Sequence, residues 1–401
     1  MKILVICQYY KPEPFRVSDI CEELVKRGHE VHVVTGVPNY PMGEIYDGYR
    51  NKNSLEIING VTVHRCKTMP RKRGALHRLL NYYSYALSSS RFVKSKECRP
   101  DDNSQFDVVL LNQLSPVMMG YAALAYKKKY NVPIVTYCLD LWPASLEAGG
   151  MKANSLLYRY FSKVSKKIYE GSDLIAITSK SFKNYLVEEL DIHTEIKYLP
   201  QYAETMFSDV DLSKKPNGRF DFGFAGVVGA SQSVETIVKT AQLLKDRQDI
   251  HFHIAGDGIS LNICKKMAAG LNNITFYGKL PLKEMPEFYK KMDAMLVTLI
   301  DNDLLSKTMP GKVQSYMAAG KPIIGAIKGE TPLVINQAEC GICCEPEKPE
   351  ELKAVIEKYI ATNSKEQFGK NAARYYIENF SKEIFINKLE VILKQYECLS
   401  S

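Results

Sequence analysis

Met309-Pro310-Gly311-Lys312-Val313-Gln314-Ser315-Tyr316-Met317-Ala318-Ala319-Gly320-Lys321-Pro322 is the stretch on which the reading of this chain turns. One apolar run, Ala294 to Ile300, precedes it and another, Ile323 to Ile327, follows it, each of a length that suits a buried strand. Pro310 and Gly311 fit a helix start, Gly320 fits the position just past its end, and Pro322 prevents continuation. The unit therefore reads strand, loop, helix, strand. A helix that begins at the carboxyl end of a parallel strand offers unbonded N–H groups and partial positive charge, which suit a phosphate; Lys312 adds a full charge. A plain βαβ crossover with a surface lysine fits the same residues, so the rest of the chain has to discriminate.

Outward from this stretch the same alternation recurs. Toward the amino terminus the second half reads as strands at Phe220 to Ala225, Ile250 to Ala255 and Ile274 to Tyr277. Helices at Val234 to Leu244, Leu261 to Ala269 and Met285 to Lys291 separate them. The first half reads likewise, with strands at Lys2 to Cys7, Glu30 to Thr35, Val61 to Cys66, Phe106 to Leu111, Pro133 to Cys138, Asp173 to Thr178 and Glu195 to Leu199. Between the halves, Gln201 to Arg219 carries Asp209, Asp211, Pro216, Asn217 and Gly218 and reads as a loop or linker. From Pro349 onward the pattern is helical, with Ser381 as N-cap of a last helix, Lys382 to Tyr396. The expectation is an α/β protein with two Rossmann-like, doubly wound parallel sheets, residues 1–205 and 206–380, and a terminal helix over 381–401 that packs back on the first domain.

The totals agree with this plan. At 401 residues, 45% hydrophobic and 24% charged, the chain can bury two cores. No run of roughly eighteen apolar residues occurs and the chain enters a strand at once, so a cytoplasmic location is expected. Ten scattered cysteines, Cys398 the last, suit a reducing compartment. The one CxxC, Cys340 to Cys343, has no second pair or nearby histidine, so no metal or redox site is expected.

The net charge of +8 is compatible with nucleic acid, an anionic membrane or a phosphorylated substrate. Arg71, Lys72 and Arg73 lead a helix, Ala75 to Lys96, whose aliphatic and aromatic residues are bracketed by further bases. That pattern fits a helix lying on anionic lipid at the inner face of the membrane, and equally a solvated helix on its own sheet. Its aromatics follow a helix rather than a strand platform, so nucleic acid is not expected as a partner.

The chemistry should collect at the carboxyl ends of the strands. There stand the glycine turns Gly226 to Gly229 and Gly256-Asp257-Gly258, which with the opening stretch make three loops that suit a nucleotide or phosphate. Asp140, after the strand Pro133 to Cys138, suits sugar hydroxyls or proton acceptance, beside Trp142; Tyr9, Tyr10 and Glu13 would border the same place. Asp301-Asn302-Asp303 imitates a cation-holding pair, and His251 and His253 alternate on a strand; both read as structural.

Taken together, Arg27-Gly28-His29-Glu30-Val31, Asp140-Leu141-Trp142-Pro143, Gly226-Val227-Val228-Gly229, His253 to Gly258, Met285 to Tyr289 and Pro310 to Pro322 resemble the retaining glycosyltransferases of family 4, over nearly the whole length. The resemblance implies the GT-B fold, a nucleoside diphosphate sugar held by the second domain, an acceptor held by the first, and no required metal or other cofactor. It is nearest the branch that builds bacterial capsule and O-antigen polysaccharides, which implies a hexosyl or N-acetylhexosaminyl donor, UDP-linked by preference, and a lipid-linked glycan acceptor. It implies catalytic roles for Asp140 and Lys312. Gly226, Gly229, Gly256, Asp257, Gly258, Leu280, Gly311, Val313, Gln314 and Ser315 would line the donor, and Tyr9, Tyr10, Glu13 and Trp142 the acceptor. The chain departs from the family in three places: the two glutamates separated by seven residues, one of which holds the ribose, fall on Lys307 and Ser315; a basic residue of the glycine turn falls on Ala230; and a histidine before the aspartate falls on Leu139. A sugar-nucleotide epimerase of the same architecture and a non-catalytic nucleotide- or membrane-binding subunit are the rival readings. A nicotinamide dehydrogenase is disfavoured, because no full Gly-x-Gly-x-x-Gly follows the first strand.

Overall fold

Strands that are apolar on both faces must be covered on both faces, and this dictates the architecture. The computed structural model describes residues 1–72, 74–148, 150–207 and 210–396; Arg73, Asp209 and Cys398 lie outside them. The chain divides into two compact units, Met1–Leu199 together with the chain from Ile386 on, and Pro200–Phe385.

The first unit holds β1 (Lys2–Ile6), β2 (Glu30–Gly36), β3 (Ser54–Ile58), β4 (Val61–Cys66), β5 (Val108–Gln113), β6 (Ile134–Cys138), β7 (Leu174–Ile177) and β8 (Glu195–Tyr198). Their order is β3-β4-β2-β1-β5-β6-β7-β8. All neighbours are parallel except β3 and β4, an antiparallel hairpin at one edge. β3 has no counterpart among the strands expected from sequence. Its turn is Asn59-Gly60, with φ of 50° and 84°, the two left-handed residues that a tight hairpin requires. The helices that pack on this sheet include α1 (Val17–Lys26), α2 (Ala75–Phe92), α3 (Gly120–Tyr130) and α4 (Leu156–Glu170). α2 ends at Phe92, four residues short of the expected end.

The second unit holds β9 (Phe220–Ala225), β10 (Ile250–Ala255), β11 (Ile274–Gly278), β12 (Ala294–Thr298), β13 (Ile323–Ala326) and β14 (Gly341–Cys344), all parallel, in the order β11-β10-β9-β12-β13-β14. One face is packed by α5 (Val234–Leu243), α6 (Leu261–Met267) and α9 (Pro349–Ala361); the other by α7 (Gly311–Ala318), α8 (Glu330–Gln337) and α10 (Lys365–Asn379). The segment that reads as a linker is partly core, because Tyr202, Ala203, Phe207 and Leu212 are buried. That burial draws the first boundary six residues earlier than the sequence reading sets it. The last helix, α11 (Lys382–Lys394), starts in the second unit, and from Ile386 it belongs to the first.

Candidate functional site

The second sheet reverses its winding at β9, which has β10 on one side and β12 on the other. Loops that leave adjacent strands in opposite directions there open a crevice at the carboxyl ends. The turn Gly226 to Gly229 leaves β9, and the turn Gly256 to Gly258 leaves β10. Three backbone hydrogen bonds stitch them together: Gly226 N–H to the Ala255 carbonyl (3.0 Å), Val228 N–H to that of Asp257 (2.9 Å) and Ser260 N–H to that of Val228 (3.0 Å). A Cβ on Gly256 would stand 1.8 Å from the Gly226 oxygen, and one on Gly258 2.4 Å from the Val228 oxygen. These two glycines are thus required by the neighbouring turn. By sequence Gly256, Asp257 and Gly258 read as a ligand loop; the structure gives them the work of bracing the first turn, and the Asp257 carboxylate accepts from the Gly258 N–H at 2.7 Å.

Helix α7 is pinned to the end of β9 by the Tyr316 hydroxyl, which accepts from the Ala225 N–H (3.1 Å) and donates to the Ala225 carbonyl (3.2 Å). Lys312, four residues earlier and so on the same face, is carried to the first turn. Its Nζ donates to Gln232 Oε1 at 2.6 Å and lies 3.8 Å from the centre of the Phe224 ring. A Cβ on Gly226, whose φ is +143°, would meet that Nζ at 3.1 Å. Burial lowers the Lys312 pKa to about 7. A Cβ placed on Gly311 would have nothing within 4 Å, and one on Gly229 would meet only Val227 Cγ1 at 3.5 Å, so the chain's own packing requires glycine at neither.

Val313, Gln314 and Ser315 are buried. The Val313 amide is spent on the Pro310 carbonyl (2.9 Å), and the Gln314 side-chain amide faces the carbonyls of Pro310 and Gly311. Only the Gly311 and Lys312 amides stand at the helix start, where intrahelical acceptors do not exist. Ser315 Oγ donates to Glu204 Oε2 at 2.9 Å. Sequence reasoning misses Glu204, Gln232 and Phe224. The last two flank the glycine turn; Glu204 lies 111 residues from Ser315 with no local signal. Leu280, two residues past β11, packs half-buried against the core beneath α7.

In the first unit, Asp140 follows β6. Its carboxylate accepts from Ser115 Oγ, which lies 2.9 Å from Ser145 Oγ, and burial raises its pKa against the pull of Ser115 and the Leu141 amide. Tyr9, Tyr10, Glu13 and Trp142, expected beside the acceptor, are buried. Tyr9 stacks on Phe15 at 5.0 Å, Trp142 meets Phe161 edge-on at 5.5 Å, and Glu13 accepts from the amides of Tyr10, Asn39 and Tyr40 at 3.3, 2.9 and 2.7 Å.

The DxD-like pair is a helix cap: Asn302 Oδ1 accepts from the amides of Leu304 and Leu305, and both aspartates pair with Lys328. His253 sits between Asp221 (2.8 Å) and the Tyr277 hydroxyl (2.9 Å). Among the described residues one donor set with metal-like spacing occurs, Glu30, His32 and Asp101, at the amino end of β2, where His32 Nε2 already pairs with Glu30 at 3.1 Å.

Two doubly wound parallel-sheet units with a last helix shared between them define a GT-B protein. Solved structures are similar over the full length: sucrose-phosphate synthase from Thermosynechococcus elongatus, at a TM-score of 0.75 and 14% identity over 98% of both chains, and Anabaena Alr3699/HepE in complex with UDP and glucose, at 0.68 and 14% over 98% of this chain and 99% of that one. The chain belongs to the family 4 glycosyltransferases: the family model described as Glycosyltransferase Family 4 matches residues 16–201, and that described as Glycosyl transferases group 1 matches residues 219–362. WcaI of Escherichia coli (strain K12), a glycosyl transferase named for colanic acid biosynthesis, is 26% identical over 388 residues, 90% of this chain and 92% of that one.

Proposed function

We propose that this glycosyltransferase moves a hexosyl or N-acetylhexosaminyl group from a UDP-sugar, with retention, to a lipid-linked glycan in the assembly of a cell-surface polysaccharide such as capsule or O-antigen. The observation that carries the donor half is the Lys312 ammonium, held 3.1 Å from the Cβ position of Gly226 at the start of α7 and at the winding reversal of the sheet. A cation and aimed amides there oppose the charge that develops as a diphosphate departs. The bond between the sugar's anomeric carbon and the phosphate oxygen breaks, the acceptor oxygen bonds to that carbon on the same face, and the acceptor proton passes to the leaving phosphate. Asp140, held by Ser115, orients sugar hydroxyls. The comparison with HepE, whose structure contains UDP and glucose, supports the donor class; the likeness to WcaI supports a polysaccharide product.

Glu204 has a part in this reading. About 6 Å, a little over one helical turn, separates Ser315 from Gly311 along α7, and in a nucleotide the ribose is joined to its phosphate through one methylene group. A carboxylate fastened to Ser315 is therefore within reach of the ribose hydroxyls when the phosphates lie at Gly311, and it stands where the family's missing glutamate would act.

The test incubates the purified chain with UDP-, GDP- and ADP-sugars, with and without a lipid-linked glycan. Transfer from a UDP-sugar with the anomeric configuration preserved is expected. Conversion of the sugar nucleotide without acceptor makes the protein an epimerase, and nucleotide binding with neither reaction makes it a binding subunit.

A further inference from the structure

The strongest feature outside the donor site is an apolar face shared by two helices of the first unit. α2 buries Asn81, Tyr82, Tyr85, Ala86, Ser89 and Phe92. Its opposite face carries Leu76, Leu80 and Leu87, exposed at 67%, 40% and 58%, at the spacing of a single helical stripe. α4 does the same: Phe161, Val164, Ile168 and Tyr169 face inward, while Leu156, Leu157 and Tyr160 stand 83%, 46% and 49% exposed. The hydroxyls of Tyr83 and Tyr160, 3.0 Å apart, join the two outer faces into one surface. The basic, apolar pattern of the sequence points only to the first of these helices.

Charge says what covers this surface. No acidic residue occurs from Pro70 to Lys96 or from Gly150 to Tyr169, whereas those segments contain seven and five lysines and arginines. Arg78, Arg91, Arg159 and Lys163 are exposed beside the leucines. Arg71 is excluded from the group, since its guanidinium lies 5.5 Å from the Tyr40 ring. Protruding leucines among an excess of bases, with Glu147 at the edge against the Tyr158 hydroxyl, match a surface that is anionic at its rim and apolar beneath it. A second copy of this chain would bring like charges together, and nucleic acid offers the leucines nothing.

We infer that the joint outer face of α2 and α4 is a docking surface for an anionic phospholipid bilayer, with Leu76, Leu80, Leu156 and Leu157 entering the interface and the flanking bases on the headgroups. No part of this depends on the donor site or on transfer.

The experiment is flotation of the full chain with vesicles of phosphatidylcholine alone and of equal parts phosphatidylcholine and phosphatidylglycerol. Binding is expected only to the anionic vesicles and should weaken as salt is raised. The triple variant Leu76→Gln, Leu156→Gln, Leu157→Gln should lose at least tenfold in partitioning with unchanged Tm, because all three side chains are exposed. Neutralising Arg78, Arg159 and Lys163 to Gln should lower partitioning by about fivefold per base. Failure of the wild type to bind anionic vesicles at low salt overturns the inference, as does wild-type partitioning by the leucine variant. So does light scattering that shows a dimer dispersed by the leucine changes, because the face would then belong to a second copy.

Discussion

On the proposed reading the donor chemistry concentrates at Lys312, because the family's other charged contacts are absent at Ala230, Lys307 and Ser315. Lys312→Ala should lower turnover by about a hundredfold or more in a chain that still folds, measured as release of UDP from a UDP-sugar; near wild-type turnover would remove this side chain from the reaction. Its pKa of about 7 adds a pH signature. An incoming diphosphate favours the ammonium, so UDP affinity should fall as pH rises above 7, and the fall should vanish in Lys312→Met. Stability moves the other way. The folded pKa lies below the unfolded value of ~10.4, so between the two the unfolded chain holds more protons, and this group's penalty on folding is complete below about 7 and relieved as pH rises. A pH series of Tm should therefore show the wild type gaining on Lys312→Met through that window. Glu204 is tested by discrimination. Wild type should bind UDP about tenfold or more tightly than 2′-deoxy-UDP, and Glu204→Gln should bring the two together while inorganic pyrophosphate binding stays unchanged. A ratio kept by Glu204→Gln means the carboxylate does not touch the ribose.

At the scale of elements, the glycine turn works because a second turn supports it. Gly256→Ala places a methyl 1.8 Å from the Gly226 oxygen, so the two turns must separate, and the Gly226 amide loses its bond to the Ala255 carbonyl. A loss of at least about 2 kcal/mol in denaturant unfolding is expected, with weakened UDP binding. The control is Gly229→Ala, where a Cβ meets only one atom, at 3.5 Å: it should keep stability within about 0.5 kcal/mol, so that any loss of UDP binding reports on the ligand. This separation of roles is not legible in the sequence. Both turns read there as ligand loops because glycine spacing is the same whether a phosphate or another backbone comes close. The βαβ rhythm is legible, since buried parallel strands are apolar throughout and the stretch Pro310 to Pro322 punctuates its helix at both ends. The hairpin at Asn59-Gly60 is also written plainly, but its exposed partner strand, β3, lacks the apolar run by which the others are recognised. The burial on the acceptor side is hidden for the same reason: aromatic residues just after a strand look available, and only packing reveals that Tyr9, Tyr10 and Trp142 are core.

For the whole molecule, the point of interest is that the last helix begins in one unit and ends in the other. Its later half buries Ile386, Leu389, Ile392 and Leu393, and Glu390 is clasped by Arg27 Nη1 at 2.8 Å and His29 Nε2 at 2.7 Å. Arg27-Gly28-His29 reads in the sequence as a helix stop and strand restart; the structure adds that its two side chains hold α11 to the first unit, a contact 361 residues apart from His29 that no local pattern announces. The clasp predicts acid lability confined to α11. Burial pushes the Glu390 carboxyl up, but the hydrogen bonds from His29 and Arg27 outweigh it and hold the group below its usual range. A depressed carboxylate lends stability that is complete above its unfolded pKa of about 4.3 and is lost as pH falls through the folded value. Hydrogen exchange on the full chain should then show α11 amides opening earlier than those of β9 and β12 as pH is lowered through that range, after correction for intrinsic exchange. Glu390→Ala should produce the same selective opening at neutral pH, because removing the carboxylate strips the buried His29 Nε2 of its partner and leaves Arg27 to Asn387 and Glu23 alone. If Glu390→Ala protects α11 as well as wild type does, the apolar residues alone hold the helix and the clasp contributes nothing.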